Sequence, residues 1–389
     1  MKKDLAINRT NRIWENGMAQ SITFIVTEDC QLRCKYCYIV GKNNKKKMSL
    51  DTAKKAIEYI LGNRDWFSAT GVTWDFIGGE PLLEIELLDN IMDYIKRRLY
   101  ELNHPWFDCY RINISTNGLM YDNPRVQRFI TKNLKHLNIG ISVDGTRLKH
   151  DMQRVYPNGR GSYDDIIKNI PLWISQFPES STKVTIAHDD LPYICESVLH
   201  LWEIGIKEVN INVIFEDEWQ DKDDIVYEEQ LRLLADNIIE KRLFYDNRCS
   251  FFQTSIGKPL DPINDTSPWC GAGRMLAIGT DGNFYPCVRF APFSLTNREA
   301  IVIGNCETGI DTDRCRPFHS NCRVVYNPKE CMECEVASGC ADCQGVNYDN
   351  ADTDTIFQKA TYICKMHKAR VRANAYFEEQ LQALLTEIE

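Results

Sequence analysis

Three cysteines stand close together near the amino end of the chain, in the segment EDCQLRCKYCY at 28–38. They are Cys30, Cys34 and Cys37, spaced C-x3-C-x2-C. An odd number of thiols does not pair off as disulfides, and a structural zinc site takes four ligands. A cubane iron–sulfur cluster has four irons, so three thiolates leave one iron open to a substrate or cofactor. The spacing favours such a cluster, and zinc with a distant fourth ligand is the alternative.

A second set of cysteines lies in the last third of the chain, where ten of the sixteen fall between Cys270 and Cys364. The pattern reads Cys270-x11-Gly282-x4-Cys287, then Cys331-x2-Cys334-x5-Cys340-x2-Cys343, and finally Cys364. The region is rich in Cys, Gly and Asp, so we expect metal ligation rather than a large core to hold it. Paired C-x2-C units also mark zinc ribbons, but pairs only five residues apart are too close for an ordinary ribbon.

The composition describes a protein with a substantial core and no basic surface. The chain has 389 residues, 43% of them hydrophobic and 11% aromatic, and a formal net charge of -9. That charge argues against nucleic acid and anionic membranes as partners. No signal segment and no apolar run of membrane-spanning length is evident, so we expect a cytoplasmic protein. Because thiols stay reduced in that compartment, metal or cluster ligation explains the cysteines better than disulfides do.

The elements that must position these residues follow a strand–helix alternation. Segments with helical periodicity, such as 49–63 with Ser49 as N-cap and 82–102, separate short β-rich segments. The six β-rich segments are 21–27, 72–78, 110–116, 137–144, 181–187 and 207–215. Such alternation predicts a parallel sheet in an α/β fold, and six units predict a partial (β/α)6 barrel.

The residues of interest follow the ends of the first four predicted strands. Cys30 follows the first strand, and three turns follow the next three, namely GGEP at 78–81, STNG at 115–118 and SVDG at 142–145. Barrels build their active sites on that face, so we expect one shared rim. The predicted domains are a barrel at 1–225, a helical linker at 226–261, a cysteine-rich domain at 262–365 and a terminal helix at 366–389.

These motifs, in this order, resemble those of the radical S-adenosylmethionine (SAM) superfamily, over roughly residues 20–215. That superfamily has an aromatic residue beside its last clustered cysteine, as Tyr36 and Tyr38 stand here. The resemblance implies that Cys30, Cys34 and Cys37 hold a [4Fe-4S] cluster. It also implies a SAM site formed by Gly78, Gly79, Glu80, Pro81, Ser115, Asn117, Ser142, Asp144 and Arg154.

The resemblance also implies a mechanism. SAM binds the open iron, and an electron from a flavodoxin- or ferredoxin-type reductant cleaves it to a 5′-deoxyadenosyl radical that abstracts a hydrogen atom from the substrate. The cofactor supplies this chemistry, and the protein positions the substrate and excludes water. The sequence assigns no catalytic side chain.

The cysteine-rich region resembles the SPASM extension of radical enzymes that modify ribosomally made peptides. This implies two auxiliary [4Fe-4S] clusters, three in all. The nearer one would be held by Cys270, Cys287 and Cys343, and the farther one by Cys331, Cys334, Cys340 and Cys364. Two departures concern the nearer set: Cys340-x2-Cys343 is one residue shorter than usual, and a further cysteine before Cys270 is missing. Either one iron stays open or Cys249, Cys306, Cys315 or Cys322 completes the set.

Two peptide-modifying reactions fit this resemblance. The first joins a cysteine sulfur of a ribosomal precursor peptide to a carbon, and the second is the formylglycine formation of anaerobic sulfatase-maturing enzymes. The second family typically has an aspartate after the cysteine matching Cys287, where this chain has Val288 and Arg289, so thioether formation is favoured. Other carbon–carbon or carbon–oxygen crosslinks are further alternatives. The residues before the first predicted strand are too few for a winged-helix leader-binding element, so the leader is expected to bind elsewhere or through a separate leader-binding protein.

A passive cluster scaffold or electron carrier is the alternative from another class. Such a protein would have no use for the turns at 78–81, 115–118 and 142–145.

Overall fold

The computed structural model describes residues 19–40, 44–261, 263, 270–320, 323–350 and 355–388. Its core is a set of parallel strands. Four of them hydrogen-bond side by side in chain order: β1 (Ala19–Thr27), β2 (Gly71–Gly78), β3 (Tyr110–Thr116) and β4 (Leu137–Ile141). Three more form a second parallel sheet: β5 (Ser181–Ile186), β6 (Glu208–Val213) and β7 (Arg248–Cys249). The predicted α/β class and all six predicted strands are confirmed.

The two sheets meet at β4 and β5 through a side chain rather than a strand ladder. Thr182, fully buried on β5, donates its hydroxyl to the Ile141 carbonyl at 2.7 Å. The Thr182 hydroxyl oxygen in turn accepts from the Val143 N–H at 3.0 Å. The predicted partial barrel is therefore two hydrogen-bonded sheets joined at this seam.

Helices cover the outer face of the strands. Their bounds are α1 Leu50–Gly62, α2 Ile85–Glu101, α3 Pro124–Asn133, α4 Arg147–Gln153, α5 Tyr163–Ile166, α6 Ile170–Gln176, α7 Ile194–Glu203 and α8 Asp223–Glu240. Ser49 caps α1 as predicted, because its hydroxyl accepts from the Thr52 N–H at 3.0 Å. Ala53, Ile57 and Ile60, spaced as one helical face, are completely buried. The predicted helix at 82–102 opens with a 3₁₀ turn at Pro81–Glu84 and becomes α-helical at α2.

The carboxyl-terminal part of the chain extends the first sheet. The short strands β8 (Leu276–Ile278), β9 (Asn283–Tyr285), β10 (Gly304–Asn305) and β11 (Gly309–Ile310) continue it beyond β1. β8 pairs in parallel with Ile22–Phe24 of β1. The cysteine-rich region thus shares a sheet with the barrel strands, which the sequence did not predict.

Short helices and one long helix complete the described residues. They are α9 Thr312–His319, α10 Arg323–Tyr326, α11 Lys329–Met332, α12 Gln344–Asn350 and α13 Cys364–Ile388. α13, close to the predicted terminal helix, packs along α8, where Tyr376 donates to Asp236 at 2.7 Å. Across the described ranges, no helix is both long and apolar enough to cross a bilayer.

The Thr182 seam yields a stability prediction. Thr182→Val keeps the shape of the side chain but leaves the Ile141 carbonyl and the Val143 N–H buried without this partner. We expect the free energy of unfolding to fall by about 1–3 kcal/mol in guanidinium denaturation of the full chain. Thr131→Val, which removes an exposed hydroxyl bond to Gln127 within α3, should cost less than about 0.5 kcal/mol. Equal losses would contradict a joining role for Thr182.

Candidate active site at the carboxyl ends of the strands

The three amino-terminal cysteines and the predicted turns line one cavity of about 510 Å³, here called the strand-end cavity. Its volume is in the range of small-molecule sites. The predicted residues that line it are Cys30, Cys34, Cys37, Gly78, Gly79, Glu80, Ser115, Asn117, Ser142 and Arg154. Of the other two predicted residues, Pro81 begins the buried 3₁₀ turn and Asp144 is completely buried beside the lining. The four strand ends therefore converge as the sequence suggested.

Backbone hydrogen bonds join the GGEP turn to the cysteine loop, which is residues 28–38 and follows β1. The Gly79 N–H donates to the Thr27 carbonyl at 2.9 Å, and the Glu80 N–H donates to the Asp29 carbonyl at 2.8 Å. A Cβ at Gly79 would lie 2.1 Å from the Asp29 oxygen, and one at Gly78 would lie 2.2 Å from the Thr27 oxygen. The resemblance placed these two glycines in the SAM site. In the structure the close approach is to the cysteine loop itself.

Glu80 holds the end of β2 to the end of β3. Its carboxylate accepts from the Thr116 hydroxyl and the Asn117 N–H, each at 2.7 Å, and from the Leu82 N–H at 3.0 Å. The side chain is 1% exposed, and burial raises its pKa while these hydrogen bonds oppose the shift. Because protein donors occupy both oxygens, Glu80 acts on the cavity by positioning Asn117.

Tyr36 ties the cysteine loop to the segment after β4. Its hydroxyl donates to Asp144 at 2.6 Å and accepts from Arg154 Nη1 at 2.8 Å. Burial alone would raise the pKa of Asp144, but the charges of Lys149 and Arg154 hold it below its usual range. This network fixes Tyr36 and Arg154 beside Cys34 and Cys37.

Arg154 offers a donor that the described protein atoms leave unused. The residue is 8% exposed and lines the cavity, and its Nε is buried without a hydrogen-bond partner among the described residues. A buried, unbonded guanidinium nitrogen costs free energy unless an acceptor is bound. The cavity therefore fits a ligand that carries an anionic group, such as the carboxylate of SAM.

Three charged residues of the cavity were not predicted from the sequence: Lys183 of β5, Glu216 and Arg289. Arg289 donates to Glu216 at 2.8 Å, and its guanidinium lies 4.5 Å from the centre of the Tyr38 ring. The ion pair with Arg289 holds Glu216 at the cavity wall. Its place directly after the sixth strand was the signal that could have found it.

Cys270, Cys287 and Cys343 form a second group, the proximal cysteine group. Burial raises the pKa of Cys287, and the neighbouring thiolates of Cys270 and Cys343 raise it further. A backbone N–H of Gln344 bonds the Cys270 thiol, while the Gln344 side-chain amide is fully buried with no partner among the described residues. A buried amide beside three thiols fits a bound group that supplies the missing partner.

The proximal group adjoins the strand-end cavity through Tyr38. Burial raises the pKa of Tyr38, and the thiolates of Cys37 and Cys287 both add to that rise. Arg289, which lies over the Tyr38 ring, has its pKa raised by Glu216 and by the Cys343 thiolate, against the opposing effect of burial. Tyr38 and Arg289 therefore lie near both the first cysteines and the proximal group.

The remaining cysteines of the pattern form the distal cysteine group. They line a separate cavity of about 90 Å³. Its members are Cys331, Cys334, Cys340 and Cys364, the four that the sequence placed together. Lys359, which is 7% exposed, donates to the Cys340 sulfur at 2.8 Å. Four thiols around one cavity with a buried cation fit a negatively charged cluster.

The four candidates for a further proximal ligand have these surroundings. Cys306 lies against Gly282, where a Cβ would come within 2.7 Å of its sulfur, and Cys315 is completely buried in α9. Cys249 is buried in β7, and Cys322 lies outside the described residues.

In the described part of the chain, no three Cys, His, Asp or Glu residues approach one point closely enough to hold a single metal ion.

The GGEP clip yields the second prediction. In Gly79→Ala the new methyl group meets the Asp29 carbonyl at 2.1 Å, so the turn must separate from the cysteine loop. We expect less iron per chain after anaerobic reconstitution, because the three thiols lose their fixed geometry. Gly62→Ala is the matched control, since a Cβ there has no neighbour within 4 Å among the described residues. Wild-type iron content and visible spectrum in Gly79→Ala would contradict the role of the clip.

Comparison with known proteins agrees with this geometry. The Radical SAM superfamily model matches residues 24–189. An uncharacterized protein of Methanocaldococcus jannaschii is 33% identical over 192 residues, which are 49% of this chain and 60% of that protein. The cysteine-type anaerobic sulfatase-maturating enzyme of Clostridium novyi is 29% identical over 153 residues, 38% of each chain. The chain thus spans less than two thirds of the length of these relatives.

Solved structures share the fold over most of the chain. The structure of anSMEcpe with bound AdoMet and the Cp18Cys peptide has a TM-score of 0.68 and 17% identity, and the match covers 95% of this chain and 99% of that one. SuiB of Streptococcus suis bound to the precursor peptide SuiA has a TM-score of 0.58 and 14% identity, covering 88% and 75%. Over residues 24–189 the chain matches the Radical SAM superfamily, and its described residues share the fold of these solved structures.

Proposed function

We propose that this chain is a radical SAM maturase that joins a cysteine sulfur of a ribosomally made peptide to a carbon of another residue. The observation that carries the proposal is the strand-end cavity, in which Cys30, Cys34 and Cys37 face the turns after β2, β3 and β4. Two solved proteins of similar fold bind peptides, anSMEcpe the Cp18Cys peptide and SuiB its precursor SuiA, which supports a peptide substrate.

The residues of the strand-end cavity would hold a [4Fe-4S] cluster and SAM. Cys30, Cys34 and Cys37 would ligate three irons and leave the fourth for SAM, whose anionic carboxylate suits the unbonded Nε of Arg154. When bound, the cofactor supplies hydrogen-atom abstraction. Ser115, Asn117 and Ser142 line the remaining wall with small polar groups that suit a ribose or an amino acid.

The two further cysteine groups would hold auxiliary clusters, giving three clusters in all. The proximal group would use Cys270, Cys287 and Cys343, and the distal group Cys331, Cys334, Cys340 and Cys364. The proximal group lies next to the reaction cavity across Tyr38 and Arg289, so it is the one placed to exchange electrons with the substrate. A flavodoxin- or ferredoxin-type reductant and a separate leader-binding protein remain the proposed partners, and the cytoplasm the proposed location.

Glu216 is the group we propose as proton acceptor. Forming a thioether removes a hydrogen atom from carbon, a proton from sulfur and one electron, and the electron would pass to the proximal cluster. Glu216 follows β6, lines the cavity and is held there by its ion pair with Arg289. Residues 288 and 289 lack the aspartate expected of sulfatase-maturing enzymes, and Glu216 supplies a carboxylate from another strand instead.

Formylglycine formation is the second candidate, favoured by the sequence similarity to the Clostridium novyi enzyme. Because Glu216 supplies a carboxylate, the missing aspartate after Cys287 does not exclude that reaction. The products differ in composition. A thioether peptide lacks two hydrogen atoms per link, whereas a formylglycine peptide has lost the cysteine sulfur and gained a carbonyl oxygen.

Mass spectrometry of a peptide substrate separates the two candidates. The substrate to test is a cysteine-containing precursor peptide encoded beside the gene, with a sulfatase-type cysteine peptide in parallel. We expect the precursor to lose two hydrogen atoms per link and to lose free thiol, because its sulfur becomes bonded to carbon. Loss of sulfur from the sulfatase-type peptide alone would contradict thioether formation and establish the second candidate.

Glu216→Gln tests the proposed proton acceptor. The amide keeps the size of the side chain but cannot take a proton, so we expect peptide modification to slow by about 10²–10⁴-fold. Release of 5′-deoxyadenosine in the absence of peptide should be unchanged. Glu218→Gln is the matched control, because Glu218 accepts from the His188 N–H and does not line the cavity. Equal peptide modification by the wild type and Glu216→Gln would contradict this role.

A further inference from the structure

Lys359 is a buried lysine whose ammonium donates a hydrogen bond to a cysteine sulfur. Its ammonium lies 2.8 Å from the Cys340 sulfur, and the residue is 7% exposed. Burying an ammonium is costly unless a partner compensates its charge. The other three distal thiols and the carboxylate of Glu330 line the same cavity.

The other basic residues of the distal cavity are differently placed. Lys368 lines it but is exposed, and the His367 ring nitrogen is bonded to the Val336 carbonyl at 2.6 Å. Water screens an exposed ammonium far more than a buried one. Among the described residues of this cavity, Lys359 is therefore the buried ammonium that bonds a cysteine sulfur, whereas Lys368 acts on Cys364 from an exposed position.

A four-thiolate cluster in this cavity would be negatively charged and would gain one more negative charge on reduction. Hydrogen bonds to the ligand sulfurs and nearby charge set the potential of such a cluster. A buried ammonium bonded to one sulfur stabilises the reduced, more negative form more than the oxidised one. The expected consequence is a higher reduction potential.

We propose that Lys359 is a positioning residue that raises the reduction potential of the distal cluster through its bond to the Cys340 sulfur. The inference rests on the distal cluster of the proposed function. It gives this cluster a defined task, because a raised potential makes it a better acceptor of electrons that leave the reaction. The Lys359 side chain would thus set the direction of electron flow without touching the substrate.

The test is a potentiometric titration of the anaerobically reconstituted full chain, followed by electron paramagnetic resonance. Lys359→Met removes the charge and the donor but keeps an unbranched side chain of similar length. We expect the midpoint potential of one cluster to become more negative, with the others unchanged. Lys368→Met removes the same charge from an exposed position near Cys364 and should shift that midpoint less than Lys359→Met does. Equal midpoints in Lys359→Met and wild type, or equal shifts in both variants, would overturn the proposal.

A second variant separates tuning from cluster assembly. Lys359→Gln keeps an N–H donor without the charge, so a midpoint between those of wild type and Lys359→Met supports the proposal. Loss of the distal cluster from both Lys359 variants would overturn it and assign Lys359 to cluster retention.

The distal cluster itself is tested by Cys331→Ala/Cys334→Ala. Unchanged iron and sulfide in that variant would show that the cluster assignment, and not the role of Lys359, is at fault.

Discussion

The site depends on one backbone contact, the pair of hydrogen bonds that joins the GGEP turn to the cysteine loop. Gly79 and Glu80 donate to the carbonyls of Thr27 and Asp29, on either side of the point where β1 becomes the loop. The contact is close enough to exclude any Cβ at 78 and 79. It fixes where the loop leaves the sheet, and therefore where its three thiols lie.

Side-chain hydrogen bonds link the ends of β3 and β4 to this contact. Glu80, in the GGEP turn, bonds the end of β3 through the Thr116 hydroxyl and the Asn117 N–H. Tyr36 joins the cysteine loop to the segment after β4 through its hydrogen bonds with Asp144 and Arg154. These links are buried, so a lost partner leaves an unsatisfied group and the geometry is held cooperatively. The exception is Arg154 Nε, which is buried without a hydrogen-bond partner among the described residues, so a bound ligand would satisfy it.

The cysteine-rich region reaches this site because it continues the same sheet. β8 pairs with β1, and the Val40 N–H at the end of the cysteine loop bonds the Phe293 carbonyl at 2.7 Å. That arrangement brings Arg289 to the cavity wall and the proximal thiols to the far side of Tyr38. A cluster there and a radical cofactor in the strand-end cavity would share one wall of protein.

The sequence predicted the strands and the shared rim because each predicted strand is a short, strongly β-favouring segment with its motif at the end. It did not predict β8, since three residues carry no periodicity and the pairing with β1 spans most of the chain. The Thr182 seam and the Glu80 bonds depend on which side chains meet after folding. The sequence did not identify Glu216 as a cavity residue because its partner, Arg289, lies 73 residues away in the chain.

The central claim is that Cys30, Cys34 and Cys37 hold a cluster with one iron left for SAM. It is tested most directly by the electron paramagnetic resonance spectrum of the reduced, anaerobically reconstituted protein, recorded before and after SAM is added. The account predicts that the signal of one cluster changes shape with SAM and that this change is absent from Cys34→Ala. A spectrum that SAM leaves unaltered in the wild type would contradict it.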